Sequence, residues 1–451
     1  MNEHIFREYD IRGIVDRDLT EETVYILGKA IGTFFRNNGA SRVSLGYDAR
    51  ESSPTFSDLI TKGLNETGCD VVNIGMVPTP VLYYSLFAID VDGGVMITGS
   101  HNPSDYNGLK VCLGKSTIYG GQINEIKQYA FDRSFAQGQG GAETYEILDH
   151  YSNHIASVIE TGSRRLKVVI DAGNGMGGIA AGPLYRALGC DTVELFCDPD
   201  SDFPNHHPDP TVIENMRFAI DAVEQHKADL AIAFDGDADR IGVVDERGRV
   251  IWGDQLMVIF ARSILDRQPG STFIAEVKCS QTLFDDIRSR GGNAIMWKVG
   301  HSLIKAKMKE TGAALAGEMS GHIFFADKYF GYDDALYAGA RLIEILSRTD
   351  QPLSSLLEEL PSTVNTPEIR LDCPDDKKFE VVRRFTEEFK KNYKVIDIDG
   401  ARILIDGGWG LVRASNTQPV LVLRFEAESA ERLREIRQII ETSLNRLIES
   451  S

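Results

Sequence analysis

Leu230-Ala231-Ile232-Ala233-Phe234-Asp235-Gly236-Asp237-Ala238-Asp239-Arg240 is the stretch on which the fold turns. An unbroken apolar run passes directly into a loop of alternating aspartates. A short apolar run closed by a turn signal suits a strand covered on both faces. The same junction recurs twice. Gly94–Thr98 leads into Gly99-Ser100-His101-Asn102-Pro103, and Ala313–Ala316 leads into Gly317-Glu318-Met319-Ser320-Gly321-His322. In open α/β sheets, ligands bind beyond the carboxyl ends of strands. One such loop in each of three units predicts a single central cleft.

Outward from these junctions, strand and helix patterns alternate for two thirds of the chain. Val43–Tyr47, Val71–Gly75 and Gly94–Thr98 read as strands, and Phe56–Gly68 reads as a helix ended by glycine. The pattern restarts at Leu166–Ile170 and at Ser271–Ala275, after the Gly-rich Gln137–Gly141 stretch and near Trp252-Gly253-Asp254. Such alternation predicts α/β architecture: three similar units with mixed, largely parallel sheets. The end differs. Glu368–Leu371, Arg402–Ile405, Gly410–Val412 and Val420–Phe425 read as strands, and Asp376–Lys391 as an amphipathic helix. Leu433, Ile436, Ile440, Leu444 and Leu447 recur at helical spacing. This order predicts a smaller C-terminal α+β domain. The expected domains are 1–150, 151–254, 255–365 and 366–451.

Composition bounds the function. The chain has 451 residues, of which 42% are hydrophobic and 25% charged, so several cores can form. No apolar run is long enough to span a bilayer, and the first residues lack the apolar core of a signal peptide. Neither feature suggests a membrane, and the cytoplasm is the expected location. The six cysteines form no Cys-x-x-Cys pair, which fits a reducing compartment. A net charge of −19 argues against nucleic-acid binding. An anionic small substrate then requires positive groups gathered locally.

The loops supply the chemistry. Asp235, Asp237 and Asp239 alternate, so in an extended strip they face one way. Three hard carboxylates without His or Cys suit Mg²⁺. A calcium EF-hand fits poorly, because Arg240 stands where the sharp turn needs glycine. Ser100 follows a strand directly. A strand-to-helix turn there would expose its hydroxyl and aim N–H groups at an anion, although serine is also a common helix cap. His101 is a second, weaker phosphoryl acceptor. Glu318, Ser320 and His322 at alternate positions read as teeth facing sugar hydroxyls. Arg413-Ala414-Ser415-Asn416-Thr417 offers an oxyanion cradle, or an ordinary polar hairpin loop. Gly173-Asn174-Gly175-Met176-Gly177-Gly178 satisfies Gly-x-Gly-x-x-Gly, which admits a dinucleotide enzyme at this point.

Taken in order, Thr98–Pro103, Asp235–Arg240, Gly317–His322 and Arg413–Thr417 resemble the four signature loops of the α-D-phosphohexomutases. Phe6–Gly13, Asn107–Lys110 and Lys298–Ser302 extend the resemblance over essentially the whole chain. Gly-Glu-Met-Ser-Gly-His is most similar to the phosphomannomutase/phosphoglucomutase branch. Gly99 stands where many members carry alanine, and Ala238 where many carry glycine. The resemblance implies a phosphoserine at Ser100 and Mg²⁺ on Ser100, Asp235, Asp237 and Asp239. It implies sugar contacts from Glu318 and Ser320, and phosphate contacts from Arg413, Ser415, Asn416 and Thr417. Arg12, Lys110, Arg240, Lys278, His301 and His322 would supply positive charge or proton transfer, with His301 and Lys110 as acid/base candidates. The substrates implied are hexose 1- and 6-phosphates, with hexose 1,6-bisphosphate as activator, and the Gly173–Gly178 stretch becomes a structural turn. A monomer or small homo-oligomer is expected. Three alternatives stay open: a phosphoglucosamine mutase, a phosphatase using the same serine, and a non-catalytic sugar-phosphate sensor. The C-terminal domain, tethered near Thr363–Pro367, is the expected moving part. Identical solution scattering with and without a bisphosphate sugar would count against that motion.

Overall fold

The structure, a computed structural model, describes residues 1–415 and 419–449. Four sheets succeed one another along the chain. In the first, parallel strands Asp70–Met76, Arg42–Tyr47 and Gly93–Ile97 lie side by side. Tyr106–Leu113 then pairs antiparallel with Gly93–Ile97, and Ile11–Ile14 antiparallel with Tyr106–Leu113. In the second, Asp191–Leu195, Lys167–Asp171 and Leu230–Phe234 are parallel, and Ile241–Asp245 turns back on Leu230–Phe234. In the third, Asn293–Trp297, Thr272–Glu276 and Leu315–Gly317 are parallel, and Ile323–Phe325 turns back on Leu315–Gly317. The fourth sheet is wholly antiparallel, and helices Lys378–Phe389 and Ala430–Glu449 pack against it.

The repeat is a physical one. Each α/β unit ends its parallel run with a strand that reverses into an antiparallel partner, and each polar loop is that reversal. All five residues of Leu230–Phe234 are buried, as an apolar run in the middle of a covered sheet must be. The fourth sheet has two strands more than expected, Val364–Asn365 and Lys394–Ile396, both at its edges and too short and too polar to announce themselves. The stripe Leu433, Ile436, Ile440, Leu444 and Leu447 is buried, as its spacing requires.

One continuous core runs through the first three units. It joins Val72 and Met96 of the first to Ile170 and Phe234 of the second and Phe273 and Phe325 of the third. The fourth domain keeps its own core around Phe385, Ile403, Phe425 and Ile440. Among the described residues no helix is long and apolar enough to cross a membrane. All six cysteines are free.

Candidate active site

The serine loop is not a strand-to-helix turn. It joins Gly93–Ile97 to the antiparallel strand Tyr106–Leu113, so no helix start lies beneath Ser100. The correction has a simple cause: a polar loop after a strand announces the strand's end but not the element to which it leads. Ser100 instead takes a left-handed conformation, φ 49°, and its N–H donates to Thr98 Oγ1 at 2.8 Å. A non-glycine residue held there costs about 1–2 kcal/mol. The loop is held in place by Arg50, which belongs to none of the sequence motifs. Its guanidinium is almost wholly buried and donates to the carbonyls of Ser100 (2.9 Å), Asn102 (2.6 Å), Pro103 (2.5 Å) and Tyr106 (2.8 Å). Asp48 carries the counter-charge at 3.2 Å. Gly99 leaves room for this clamp, since a Cβ on it would lie 2.4 Å from Arg50 Cζ. A signal existed: Asp48 and Arg50 come just after the strand Arg42–Tyr47 at its carboxyl end, where functional residues collect.

The aspartate loop is a turn, not an extended strip, because Ala238 adopts φ 61°. The three carboxylates converge all the same. They are buried, and one oxygen from each lies within 4.8 Å of the others. Ser100 Oγ donates to Asp235 Oδ2 at 3.1 Å across the boundary between the first two units. Gly236 permits that approach, since a Cβ there would stand 2.4 Å from the Ser100 carbonyl oxygen. Thr79 Oγ1 donates to Asp237 Oδ2 at 2.5 Å. Lys110 Nζ reaches Asp237 Oδ2 at 2.7 Å and Asp239 Oδ2 at 2.5 Å.

The charges here constrain one another. Burial and the two neighbouring aspartates push the Asp235 carboxyl well above its ordinary range. Burial opposes ionisation of Asp239 too, but Lys110 outweighs it and holds that carboxyl low. Asp237 and Asp239 hold the buried Lys110 above its ordinary value, hence protonated. Asp237 Oδ1 and Asp239 Oδ1 are buried with no hydrogen-bond donor. Unmatched carboxylate oxygens in a dry site are costly unless a cation faces them. Three hard oxygen donors so arranged fit a divalent metal of the magnesium kind.

The third loop meets the second. Arg240 and His322 form an antiparallel bridge, and Arg240 Nε donates to His322 Nε2 at 2.9 Å. That bond leaves the ring proton on Nδ1, which faces Asp333 Oδ2 at 3.1 Å. His322 therefore does not stand beside Glu318 as a tooth toward a sugar. The tight turn sends it back to the metal loop, while Glu318 Oε1 accepts from the Gly300 N–H at 2.7 Å. Ser320 makes no hydrogen bond among the described residues, so its hydroxyl is available. His301 lies next to Gly300 and stacks with His322 at 5.8 Å between ring centroids. Burial, with Lys305 beside it, lowers its pKa well below the ordinary value, so it is neutral near pH 7. Asp333, a residue without a sequence signal, accepts from Lys305 Nζ at 2.9 Å behind both histidines.

At Val299 the first, third and fourth domains meet. Tyr9 Oη donates to the Val299 carbonyl at 3.1 Å, and the Val299 N–H donates to Asp399 Oδ2 at 3.0 Å. The same oxygen accepts from Arg413 Nε at 3.1 Å, which brings the fourth domain to the edge of the cleft. Lys278 is buried and pairs with Glu368 at 3.1 Å. Ser415 closes its strand end by donating its N–H to Val420 O at 3.0 Å, while Asn416 and Thr417 lie outside the described residues. Arg12 pairs with Asp10 at 2.5 Å and sits opposite Gly108, two residues from Lys110. His101 is engaged by Asp209 at 2.9 Å, and burial lowers its pKa to about 4. The Gly173–Gly178 turn supports the metal loop, with the Met176 N–H on the Gly236 carbonyl at 2.9 Å.

Comparison with known proteins agrees with this geometry. The three α/β/α domains of phosphoglucomutase/phosphomannomutase match residues 3–137, 149–248 and 252–364, and its C-terminal domain matches 368–443. A phosphomannomutase/phosphoglucomutase of Pseudomonas putida is 46% identical over 444 residues, covering 98% of this chain and 96% of that one. A phosphoglucomutase of Neisseria meningitidis serogroup A is 45% identical over 450 residues, covering 98% and 97%. The crystal structure of a phosphoglucomutase/phosphomannomutase family protein from Burkholderia thailandensis superposes with a TM-score of 0.94 at 43% identity, covering 99% and 98%. A chain matched by all four domains of one family, and 45–46% identical to such enzymes over 98% of its length, belongs to the phosphoglucomutase/phosphomannomutase family.

Proposed function

We propose that this enzyme interconverts hexose 1-phosphates and hexose 6-phosphates, of glucose and mannose, through a phosphoryl group carried on Ser100. The observation that carries the reading is the Ser100 Oγ to Asp235 Oδ2 contact, which sets a nucleophilic hydroxyl against a buried carboxylate trio. Mg²⁺ held by Asp235, Asp237 and Asp239 would neutralise charge on the transferring group. In the first half-reaction the free sugar hydroxyl attacks the phosphorus on Ser100. The bond from phosphorus to Ser100 Oγ breaks as the bond to the sugar oxygen forms, and the hydroxyl proton passes to a base.

His301 is our candidate base, since burial keeps it neutral and its Nδ1 has no hydrogen-bond donor or acceptor at bonding distance. Lys110, held protonated by two carboxylates, acts as fixed positive charge, and Arg240 and Arg12 add to it. The resulting hexose 1,6-bisphosphate turns over within the cleft. Its other phosphate returns to Ser100, and the proton goes back to the sugar oxygen. Glu318 and Ser320 bind ring hydroxyls in either orientation. Lys278 and His322 supply positive charge or proton transfer near the reacting ends, and Arg413, Ser415, Asn416 and Thr417 hold the phosphate that is not moving.

Phosphorus NMR of glucose 1-phosphate and mannose 1-phosphate, with Mg²⁺ and a trace of glucose 1,6-bisphosphate, tests the reading. Conversion to the 6-phosphates is expected for the wild type, with at least about a 10³-fold loss for Ser100→Ala. Release of free phosphate would replace the mutase reading by a phosphatase.

A further inference from the structure

A cavity of about 630 Å³ opens at the seam between the first and third units. The first unit contributes Tyr83 and Phe87 from helix Thr79–Ala88, and Lys115 and Thr117 from the edge of its sheet. The third contributes Ser302, Lys305 and Lys309 from helix His301–Thr311, with Phe330 and Tyr332 behind them. The volume suits a small ligand.

Three observations on these walls point to an occupant. No Asp or Glu lines the cavity, in a chain whose net charge is −19. Lys115 and Lys309 stand exposed on its walls, and neither has a carboxylate partner among the described residues. Three buried polar atoms on the lining residues, Tyr83 Oη, Thr117 Oγ1 and Ser302 Oγ, make no hydrogen bond. Buried hydroxyls are usually satisfied, so three just beneath one cavity wall mark it as a polar lining short of partners. The remaining wall is aromatic, and Lys115 Nζ lies over the Phe87 ring at 4.8 Å. Phe87 stacks on Phe330 at 4.5 Å, and Phe330 lies within 8° of parallel to Tyr332.

We propose that this cavity is a second binding site, for a small planar organic anion that carries one carboxylate, sulfonate or phosphate. The aromatic wall takes the planar body, and Lys115 and Lys309 take the charge. Lys305 links the site to catalysis. Its ammonium group lies over the Tyr83 ring at 4.2 Å and holds Asp333, the carboxylate behind His301 and His322. An occupant that draws Lys305 toward the cavity loosens that support and changes turnover.

The test uses 8-anilinonaphthalene-1-sulfonate as probe on the full chain. Expected are one dye bound per chain, no displacement by saturating glucose 1,6-bisphosphate, and binding weakened at least about tenfold in the Lys115→Glu/Lys309→Glu double variant. Those lysines are exposed and outside the catalytic machinery, so the variant should fold and turn over as wild type does. Ala306→Trp, which fills the cavity from the side of the helix, should also exclude the dye. Equal affinity in wild type and both variants, or displacement by the bisphosphate, overturns the site. Unchanged turnover at dye saturation overturns the link through Lys305.

Discussion

Two seams meet in the cleft, and they are built differently. The seam among the first three units is made of buried side chains that cross unit boundaries. Ser100 bonds Asp235, Thr79 bonds Asp237, Lys110 bonds Asp237 and Asp239, and Arg240 bonds His322, all over a shared core. The seam to the fourth domain is narrow. Arg402 donates to the carbonyls of Val277 and Cys279 at 2.7 Å, and Arg424 donates to that of Lys278. A small cluster of Val277, Trp409 and Leu411 fills the space between, and the fourth domain keeps its own core. The first seam fixes atoms that must stay within bond-forming distance of one another. The second gathers most of its cross-domain bonds on one short segment, Glu276–Gln281, as a pivot does, with the Val299 N–H on Asp399 and the Arg424–Asp254 pair beside it.

The largest effect should come from breaking the first seam at its clamp. Arg50→Met removes the guanidinium from the carbonyls of Ser100, Asn102, Pro103 and Tyr106 and leaves the buried Asp48 carboxylate without its counter-charge. The expected loss is about 3–5 kcal/mol of stability, with turnover falling further than stability alone explains. Thermal melts and kcat measured together separate the two. Gly99→Ala, which pushes a methyl into the clamp, should give a milder form of the same defect.

Metal removal comes next. Chelation should abolish turnover and lower Tm, and Mg²⁺ should restore both, because the buried carboxylates repel one another without it. A Tm indifferent to Mg²⁺ would argue that Lys110 alone satisfies the trio.

A smaller effect tests the second seam. Burial raises the pKa of Glu368, but Lys278 and then Arg370 outweigh it and lower the carboxyl from 4.5 to about 2. An acid whose folded pKa is depressed stabilises the fold above its unfolded value. That contribution is lost as pH falls from about 4.5 toward about 2. Glu368→Gln should therefore melt below wild type at pH 7, and the two melting curves should converge through that acid window. A constant gap at every pH would show that the pair contributes nothing.

The smallest effect concerns Ala238. Relief of its left-handed backbone by Ala238→Gly offsets the added freedom of the unfolded chain and the lost buried methyl. Stability should change by less than about 1 kcal/mol, read by denaturant melts.

How much of the molecule was legible in its sequence depended on distance along the chain. Leu230–Phe234 had to be a covered strand, because its apolar side chains have no other place to go, and Asp235, Asp237 and Asp239 are close enough in sequence to converge in any tight turn. Four ordered motifs pointed to the family and its cleft. The direction the chain takes on leaving a loop was not legible: the reversal after Ser100 and the turning back of His322 depend on pairing with a strand whose register is set elsewhere. The place of Arg50 after a strand end did not reveal what it clamps, for its partners lie about fifty residues away, and Asp333 carries no local signature, for it meets Lys305, His301 and His322 only in the folded unit. Local chemistry and hydrophobic period are written in neighbouring residues, so the sequence alone determined them. Which charge meets which partner, which oxygens go unmatched, and that a cavity free of acids opens between two units are properties of surfaces that touch only when the units pack. Only the tertiary structure could decide them.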